Sequence, residues 1–562
     1  MKAGLVAATF LTFTALAFPA TIYVPDDYSA IQTAINVCVD GDTIIVRPGT
    51  YFENVDFVGK NVLLQSELGP AVTVIDGQQL SVTVWIASGE GPGAIVDGFT
   101  VTNGDPSNIL SSGAGVCITN ISTPIIRNNV ITGNANANYG GGLYCGGFGS
   151  DATIVNNFVT SNDATNGGGI YVKGCSPLIQ GNVVADNLAT NGAGIECYDD
   201  GSATITDNIV RNNAATSSGG GIYLSVYSPA LVSRNLVMGN TSGFGGAGIM
   251  CNASDATING NQIRDNVAAG RGGGIYIRKG TVEVTNNVVS GNTAATTGAG
   301  LDIWDQCAVV MINNTVVGNT SSDTGGGMVM SYFADVQATN CIFWNNDAPN
   351  GDEICLSVYA PSLTINYCDL EGGQASVSVD ASATLNWGAN MIDSDPLFVE
   401  AGYADYHLGL FSPCKDAGDT PAGLPDEDFE GDPRNHDGAP EMGADEHHPH
   451  LYVAVHTPAG SGVTPGGTGA FKVIGPPGET VRVAGADVVR ETPLSTRFGD
   501  FYLYGHLYLA ATGTIGTDGV LTAPQIVPAY WTTGERHPFQ ALIGPLVNPT
   551  STLTNYTVLV VE

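Results

Sequence analysis

A motif of three small residues followed by one apolar residue recurs nine times along the chain, and this repeat restricts the fold more than any other feature. Successive copies are 25 to 27 residues apart. Their apolar residues are Val116, Leu143, Ile170, Ile195, Ile222, Ile249, Ile275, Leu301 and Met328. Self-similarity at a period of roughly 20–50 residues is typical of solenoids, in which each repeat packs only on its neighbours. We therefore expect stacked coils instead of one central core.

Two columns of asparagine run in step with this motif. The first is Asn129, Asn157, Asn182, Asn208, Asn235, Asn261, Asn287, Asn314 and Asn340. The second, five residues later, is Asn134, Asn162, Asn187, Asn213, Asn240, Asn266, Asn292 and Asn319. Asparagine tolerates the left-handed backbone of a tight corner, and its amide can bond to identical amides above and below. The columns therefore indicate coils stacked in register.

Between these markers the pattern is short and has a period of two residues, as at Ile170 and Val172. Turn residues at each end predict three short strands per coil. No segment has the length of a two-helix repeat, and the leucine-rich repeat frame is missing. Parallel strands with right-handed connections remain, so the prediction is an all-β, right-handed parallel β-helix.

Composition shifts divide the chain into four predicted parts. Residues 1–20 form a signal peptide, because Lys2 precedes an apolar run with an Ala15-Leu-Ala17 cleavage pattern. Residues 21–379 form the β-helix, beginning with an amphipathic capping helix over Ala30 to Val37 that has an N-cap signal before it. Residues 380–448 form a closing module. Residues 449–562 form a β-sandwich, with alternation across residues 501–508.

The charge balance restricts the partners. Eighteen basic and 53 acidic residues give a net charge of −35, which opposes binding to nucleic acid or anionic lipid. No segment after the signal peptide is predicted to span a membrane, so we expect a secreted or cell-surface monomer. The eleven cysteines are an odd number, so at least one thiol stays unpaired. Cys145, Cys197 and Cys251 occupy one repeat position and are predicted to be small buried apolar residues.

Three short segments carry a family resemblance. Residues 30–35, 41–51 and Glu53-Asn54 resemble the opening of the pectate lyase-like superfamily of right-handed β-helices, which includes pectin methylesterases. The Gly-Gly-Gly-Ile and Asn repeats are similar to adhesins of the autotransporter class. Residues 395–398, 412–419, 431–434 and 443–446 resemble a module that often follows such helices in large secreted bacterial proteins. These likenesses imply the architecture, and they leave the chemistry open.

The catalytic motifs of the superfamily do not match this chain. The Gly-Arg-Pro-Trp motif of pectin methylesterases and the Gly-His-Gly motif of polygalacturonases are missing, and no segment matches the arginine and calcium-binding aspartates of pectate lyases. No catalytic residue can therefore be carried over from the resemblance.

An outward-facing column beside the glycine motif supplies the candidate ligand-binding residues. If the apolar residue of each motif points inward, residues one and three positions later point outward. The aromatic members of this column are Tyr144, Tyr171, Tyr198, Tyr223, Tyr276 and Trp304. Exposed rings repeated at coil intervals are expected to accept the sugars of an extended polysaccharide. The alternative is that tyrosine simply suits a pleated, half-buried surface.

Charged residues on the same face are the candidate catalytic groups. Lys173 is predicted to lie diagonal to Glu196, and Arg278 diagonal to Asp302, each one coil apart. A polysaccharide lyase or epimerase would need such a base beside a partner that neutralises a carboxylate. Diagonal surface ion pairs are the alternative interpretation.

The closing module contains the candidate metal ligands. Eleven acidic residues and one base, Arg434, lie between Asp416 and Glu446. Among them Asp426, Asp428 and Asp432 are candidate calcium ligands, because oxygen-rich Gly/Asp loops suit that ion. Alternatively, Arg434 binds the surrounding carboxylates and closes the end of the helix.

The leading functional hypothesis is a non-catalytic protein that binds a polysaccharide or cell-surface glycan. A divergent lyase or epimerase acting on acidic glycans is the second hypothesis, and a surface spacer or adhesin is the third.

Overall fold

The computed structural model describes residues 19–107, 112–401, 404–409, 411–434 and 438–446, together with the backbone of ten strands between Val453 and Val560. The apolar run of the predicted signal peptide, and His447, His448 and His450, lie outside the described residues. Chain contacts separate an N-terminal unit, Met1–Thr204, from a C-terminal unit, Ile205–Glu562. Each unit is described by itself.

Both units are built from the same coil. A strand after the glycine motif (row A) leads through a corner to a second strand (row B), and a tight asparagine corner leads to a third (row C). A second asparagine corner follows, and in many coils a short fourth strand (row D) precedes the next glycine motif. Strands of one row pair in parallel between successive coils. The predicted parallel solenoid is thus confirmed, with row D as an addition.

In the N-terminal unit, row A contains Val55–Asp56, Val84–Ile86, Val116–Ile118, Leu143–Gly146, Ile170–Lys173 and Ile195–Tyr198. Row B contains Thr21–Val24, Thr43–Val46, Leu63–Ser66, Ile95–Asp97, Ile125–Arg127, Thr153–Val155 and Leu178–Gln180. Row C contains Gly49–Phe52, Thr73–Asp76, Thr100–Thr102, Val130–Thr132, Phe158–Thr160 and Val183–Ala185. Row D contains Ala137–Tyr139, Asp163–Asn166 and Leu188–Asn191. The strand Thr204–Thr206 lies at the boundary of the units.

In the C-terminal unit, row A contains Ile222–Ser225, Ile249–Asn252, Met328–Ser331, Ile354–Leu356 and Val377–Val379. Row B contains Ala230–Ser233, Ala256–Asn259, Asp335–Thr339, Ser362–Asn366 and Thr384–Trp387. The long strands Ile275–Thr285 and Leu301–Ile312 contribute to both rows. Row C contains Ile209–Arg211, Leu236–Met238, Gln262–Arg264, Val288–Ser290, Thr315–Val317, Ile342–Trp344 and Asp369–Leu370. Row D contains Ala214–Ser218, Thr241–Ser242, Val267–Ala268, Thr293–Ala294 and Thr320–Ser321.

The asparagine columns form buried amide ladders, as predicted. The Asn129 side-chain amide donates to Oδ1 of Asn157 at 3.1 Å and to the carbonyl of Val96 at 3.0 Å. The Asn235 amide repeats this contact with Asn261 at 2.9 Å. Each ladder amide therefore satisfies main-chain and side-chain groups of adjacent coils that would be costly to leave unpaired.

Two details of the ladder prediction are wrong. The left-handed residue is the one before the ladder asparagine, as at Asn128 and Asn156, because the ladder side chain itself points into the core. Asn340 is such a corner residue, with φ of 56°. The ladder position of its coil is Cys341, whose main-chain N–H donates to Sγ of Cys368 at 3.2 Å.

The glycine motif is required by close packing between coils. The first glycine has a positive φ, for example 62° at Gly167. A Cβ on the third, Gly169, would lie 2.6 Å from the carbonyl oxygen of Gly194. Side chains are excluded at both positions, since a left-handed backbone and a main-chain contact of this length both disfavour a Cβ.

The predicted N-terminal helix is present as Ile31–Val37, with Ile31, Ala34 and Ile35 buried. The residue at its N-cap, Ala30, provides no side-chain bond. Instead, the Glu53 carboxylate accepts the N–H groups of Ile31 and Gln32, both at 2.9 Å. The local N-cap expectation is therefore wrong, since the capping group comes from a residue about 20 positions later. That this helix caps the solenoid stays a prediction.

The described part of the closing module runs along a row of corner asparagines in the C-terminal unit. Side-chain amides of Asn286, Asn313 and Asn340 donate to the carbonyls of Glu427, Glu441 and Asp419 at 2.7, 2.7 and 2.8 Å. Because these corners are about one coil apart in sequence, the module contacts the wall of at least three coils. The module contains the antiparallel pair Phe398–Glu400 and Asp405–Leu408, and the 3₁₀ helix Gly373–Ser376 precedes it in the chain.

Arg434 is the buried centre of this contact. Its guanidinium donates to Oδ1 of Asn286 at 2.7 Å and to the carbonyl oxygens of Ala444 and Asp445 at 2.5 and 3.1 Å. One carboxylate, that of Glu446, lies 3.5 Å away. Arg434 thus binds mainly carbonyls and an amide, whereas the sequence interpretation expected it to bind carboxylates.

Ten strands of the C-terminal region pair in antiparallel fashion. They are Val453–His456, Thr468–Ile474, Thr480–Gly485, Val488–Thr496, Gly499–Tyr504, Tyr508–Thr514, Val520–Ile526, Arg536–Ile543, Thr552–Leu553 and Thr557–Val560. The antiparallel pairing agrees with the prediction that this region is all-β. The sandwich arrangement and the domain boundaries at residues 379 and 448 stay predictions.

Candidate functional site

Row A of the N-terminal unit carries a stack of tyrosines on its outward side. The rings of Tyr144 and Tyr171 are parallel, with centroids 5.8 Å apart, and those of Tyr171 and Tyr198 are 6.4 Å apart. Tyr139 of row D lies 5.0 Å from Tyr171. Only 1% of Tyr171 is exposed, and Tyr144 and Tyr198 are half-buried. Burial raises the pKa of Tyr144 to about 12.

Glu196 occupies the same outward position one coil beyond Tyr171, and it is buried without a cation. The register pairs the two residues directly, and only 3% of Glu196 is exposed. The Gly167 main-chain N–H, which donates to the Asn191 carbonyl at 3.1 Å, lowers the pKa of the carboxyl group, whereas Oε2 meets no hydrogen-bond partner among the described residues. Burial raises the pKa of Glu196 to about 8. At neutral pH this group is therefore mostly protonated.

The register places Lys173 diagonal to Glu196, as predicted, but the two side chains do not form an ion pair. The lysine reaches the next corner instead, with Nζ 3.6 Å from Oδ2 of Asp199 and 5.5 Å from the ring centroid of Tyr198. The Glu196 side chain packs against Gly192 instead. A Cβ on that glycine would lie 2.6 Å from Oε2 of Glu196. Glu196 is thus buried while Lys173 extends to the next corner, so the acid and the base do not meet.

In the C-terminal unit the same column contains a compensated carboxylate. Asp302 is fully buried, and its Oδ2 accepts from Nε of Arg271 at 3.0 Å and from the Thr297 hydroxyl at 2.5 Å. Burial raises the pKa of Asp302 to about 6, while Arg271 and Thr297 oppose that shift. The Arg271 guanidinium also lies 5.0 Å from the ring centroid of Trp304.

Arg278 also lies diagonal to Asp302, as predicted, but it forms no ion pair with that residue. Arg278 lies 3.5 Å from Oδ2 of Asp305, and Lys279 approaches the same oxygen at 3.5 Å. The Arg278 guanidinium is 4.8 Å from the ring centroid of Trp304. One carboxylate therefore faces the half-buried Arg278 and the exposed Lys279, and the guanidinium groups of Arg271 and Arg278 both contact the Trp304 ring.

Exposure of the whole aromatic column was expected, and this is wrong for Tyr171, Tyr223 and Tyr276. These side chains are 1%, 9% and 1% exposed. The cause is the left-handed first glycine of each motif, which folds the preceding segment against the side chain. A Cβ on Gly219 or Gly272 would lie 2.5 Å from the Cβ of the tyrosine four residues later. At these three coils the outward side chains of row A are therefore covered by the preceding segment of the chain and are shielded from solvent.

Aromatic residues that sequence reasoning missed lie at the corner after row A. In the C-terminal unit, ring centroids of Trp304 and Tyr332 are 5.4 Å apart, and those of Tyr332 and Tyr359 are 4.3 Å apart. Tyr359 is exposed, and Trp304 and Tyr332 are half-buried. We call these three residues the corner strip. Their coil-length spacing was visible in the sequence, but Tyr332 and Tyr359 lie beyond the strand positions that the alternation identifies.

A groove lies on the same series of corners. It is lined by Tyr227, Pro229, Asp255 and Lys279, among others, and has a volume of about 390 Å³. Tyr227 is strongly exposed. Lys279, which lines the groove, neighbours Arg278, the residue stacked on Trp304 of the corner strip. Aromatic and basic groups therefore meet on one outer edge of this unit.

The predicted calcium ligands have other roles where the structure describes them. Oδ1 of Asp428 accepts the N–H groups of Glu430, Gly431 and Asp432 at 2.8 to 2.9 Å. Its Oδ2 accepts the N–H of Glu446 at 3.0 Å. Within the described ranges, no group of three or more His, Cys, Asp or Glu residues is arranged to hold a metal ion. Asp428 therefore organises its own loop, and the geometry gives Asp426 and Asp432 no shared site with it.

Comparisons with known proteins agree with the architecture. A family model described as a right-handed beta helix region matches residues 81–215 and 141–321. The solved structure of the pectate lyase Pel9A is 15% identical, covers 77% of this chain and 97% of its own, and has a TM-score of 0.36. A complex of XylC with xylose is 11% identical, covers 76% and 98%, and has a TM-score of 0.39. No curated protein matches the chain.

The class that the repeat, the parallel rows of strands and the family model define is a right-handed parallel β-helix. Structural likenesses as distant as these two say nothing about ligand or activity. Among the described residues, no helix is long and apolar enough to span a membrane.

Proposed function

We propose that this protein is secreted or displayed at the cell surface, and that it binds an extended polysaccharide on the outer face of its C-terminal unit. The observation that carries the proposal is the corner strip of Trp304, Tyr332 and Tyr359, whose rings follow one another from coil to coil. The apolar run at the N-terminus supports export.

The spacing of the strip suits a polymer rather than a single sugar. Successive coils of a parallel solenoid are separated by about 4.8 Å, so three rings in three coils present a platform along the direction of stacking. Aromatic rings offer large apolar faces at a small entropic cost, and exposed aromatic surface tends to mark interaction sites. An extended chain with flat, partly apolar rings is the ligand class that matches such a platform.

The charges beside the strip favour acidic groups on that ligand. Arg271, Arg278 and Lys279 are three of the eight Lys and Arg residues between positions 205 and 446, although the whole chain carries a net charge of −35. Asp305 lies beside both Arg278 and Lys279, Asp302 pairs with Arg271, and Asp255 lines the groove with Lys279, so nearby carboxylates balance the three cations. Their N–H groups remain suited to charge-assisted hydrogen bonds with carboxylate or sulfate groups of a ligand.

Glycan binding by single-residue variants tests the proposal. Wild type, Trp304→Ala and Tyr359→Ala would be applied to an array of neutral and acidic polysaccharides. Phe148→Ala is the matched control, because Phe148 is 94% exposed but belongs to the N-terminal unit and not to the strip. We expect binding by wild type and the control, and its loss in both strip variants. Equal binding by all four proteins would refute the strip as the binding surface.

A divergent lyase or epimerase is the second candidate function. Lys173 and Arg278 reach solvent, whereas Glu196 and Asp302 are buried and closed to a polymer. The exposed bases support this candidate, and the buried carboxylates weigh against it. Incubation with uronate polymers, with and without calcium, would reveal a lyase by the absorbance of unsaturated products. If neither binding nor turnover is observed, the protein acts as a spacer or adhesin.

A further inference from the structure

Two cysteines of adjacent coils meet in the N-terminal unit. Cys145 lies on the row A strand Leu143–Gly146, and Cys175 lies at the corner that follows Ile170–Lys173 in the next coil. Their sulfur atoms are 3.5 Å apart, and the Cys175 thiol also approaches the carbonyl oxygen of Cys145 at 3.3 Å. Both residues are buried. The two thiols are therefore in direct contact across the coil boundary.

The same corner of the C-terminal unit provides a natural comparison. Cys307 follows the row A part of its strand and lies 3.6 Å from the carbonyl oxygen of Ile277 in the preceding coil. The position that Cys145 occupies is filled there by Ile277, which has no sulfur. The carbonyl contact is thus common to the two corners, whereas the thiol pair occurs only at the corner of Cys145 and Cys175. A second pair of neighbouring thiols, Cys341 and Cys368, lies in the ladder of the C-terminal unit and not at this corner.

We propose that Cys145 and Cys175 are an oxidation site that forms a disulfide between neighbouring coils. The oxidant is a small disulfide of the glutathione class. Two S–H bonds break and one S–S bond forms, while two electrons and two protons pass to the small disulfide, which leaves as two thiols. The sulfur atoms have to close from 3.5 Å to about 2.05 Å.

The environment of the pair determines when the reaction occurs. The hydrogen-bonded contact between Cys145 and Cys175, which favours the neutral Cys145 thiol, together with burial raises the pKa of Cys145 well above its ordinary value. Because the thiolate is the attacking species, a buried neutral thiol reacts slowly. We therefore expect the bond to form while the coils assemble or open, and to persist once they close.

The link would fasten the two coils that carry Tyr144 and Tyr171. Row A pairs these residues in register, and a covalent bond beside them limits the separation of the coils. A disulfide stabilises chiefly by restricting the unfolded chain, so the effect should appear in unfolding experiments on the N-terminal unit.

Peptide mapping of the full-length chain tests this inference. Protein refolded with reduced and oxidised glutathione would be alkylated, digested without reduction and examined by mass spectrometry. We expect a linked pair of peptides containing Cys145 and Cys175 in wild type. The linked pair should be lost in Cys175→Ser and retained in Cys307→Ser, which removes the equivalent corner thiol of the other unit.

Thiol counting gives an independent readout. Denatured Cys307→Ser should show two fewer reactive thiols after refolding with oxidised glutathione than after refolding with reductant, and Cys175→Ser should lack this loss of the Cys145 and Cys175 thiols. Each variant is first shown to have the circular dichroism of wild type. A folded wild type in which Cys145 and Cys175 are both alkylated would overturn the inference.

Discussion

The two units place a buried carboxyl group at the same outward position of row A, but they treat its charge differently. Asp302 in the C-terminal unit has Arg271 at 3.0 Å and a hydroxyl donor. Glu196 in the N-terminal unit has a main-chain N–H and no cation, and burial raises its pKa to about 8. The C-terminal unit pairs the charge of Asp302 with a cation, whereas in the N-terminal unit Glu196 stays mostly protonated at neutral pH and carries little charge. Both outcomes follow from the large penalty for burying an unpaired ion.

The aromatic residues differ in the same way. In the N-terminal unit the tyrosine stack surrounds the buried Tyr171. In the C-terminal unit the rings of Tyr332 and Tyr359 stack at the corner after row A, where Tyr359 is exposed. Two cations, Arg271 and Arg278, lie 5.0 and 4.8 Å from the ring centroid of Trp304 at the start of that corner. The comparison teaches that a repeated sequence position does not repeat its solvent exposure. It also separates a structural stack from a candidate binding surface.

The largest effect is expected from removing the cation of the compensated site. Arg271→Ala leaves Asp302 buried without a cation and with only the Thr297 hydroxyl as donor, so we expect a loss of about 4 kcal/mol at pH 7, as for other broken buried pairs. The urea midpoint of unfolding measures it. Arg264→Ala is the control, because its partner Asp265 is exposed, and it should change stability by less than about 1 kcal/mol. Adding Asp302→Asn should restore part of the loss; no restoration would contradict the pairing.

The second-largest effect is expected at Glu196, the buried carboxyl group that has no cation beside it. Because the pKa of Glu196 is raised from 4.5 to about 8, the folded state binds more protons than the unfolded state between these values. Its contribution to stability is therefore complete below pH 4.5 and is lost as the pH rises toward 8. Glu196→Gln should be about 3 kcal/mol more stable than wild type at pH 7, from about 1.4 kcal/mol per pH unit.

Denaturant unfolding at several pH values checks the Glu196 prediction. The stability difference between Glu196→Gln and wild type should grow steadily from pH 5 to pH 8 and vanish near pH 4. Asp302→Asn is the comparison from the other unit, and its own titration window ends near pH 6. A difference that does not depend on pH would show that Glu196 is ionised or exposed.

A smaller effect is expected on ligand binding, and it depends on the proposed function. Tyr332→Ala removes the central ring of the corner strip and should weaken polysaccharide binding at least tenfold, which is about 1.4 kcal/mol. Tyr144→Ala removes a ring of the closed stack and should leave the dissociation constant unchanged. Calorimetric titration of both folded variants measures the contrast. Weaker binding by Tyr144→Ala alone would assign the ligand to the N-terminal unit.

The smallest effect is expected at the corner of the N-terminal unit. Asp199→Asn breaks the pair with Lys173, in which both side chains are about half exposed, so the loss should stay below about 1 kcal/mol and shrink further in high salt. Thermal unfolding at two salt concentrations measures it. A larger loss that does not respond to salt would mean that this corner is less exposed than the structure indicates.

Individual residues show how much of the fold could be predicted from the sequence. Asn129 and Asn235 were predicted as ladder residues because identical side chains at coil-length spacing have few other interpretations, and the hydrogen bonds confirm them. Asn340 was misplaced by one position, since a cysteine takes over the ladder in that coil. The cap of the first helix could not be found locally, because Glu53 reaches it from the next part of the chain.

The candidate site was the least predictable part. Alternation correctly assigned Tyr171 and Tyr276 to the side of the strand opposite the core, but it carries no information on what covers that side. The partners of Lys173, Arg278 and Asp302 also differ from the diagonal pairs expected. These long side chains extend to residues in the corners that follow row A. The alternation of residues along a strand predicts nothing about the corners, so these contacts could not be predicted.

By itself, the sequence determined that the chain stacks in parallel coils, because the glycine and asparagine spacings repeat and only one kind of fold uses such repetition. It also determined which residues point inward, since strand alternation is set by backbone geometry. Only the tertiary structure decided which outward residues meet solvent. That choice depends on how the left-handed glycine at each motif folds the preceding segment over its neighbours, and on which cations lie close enough to a buried carboxylate to compensate it.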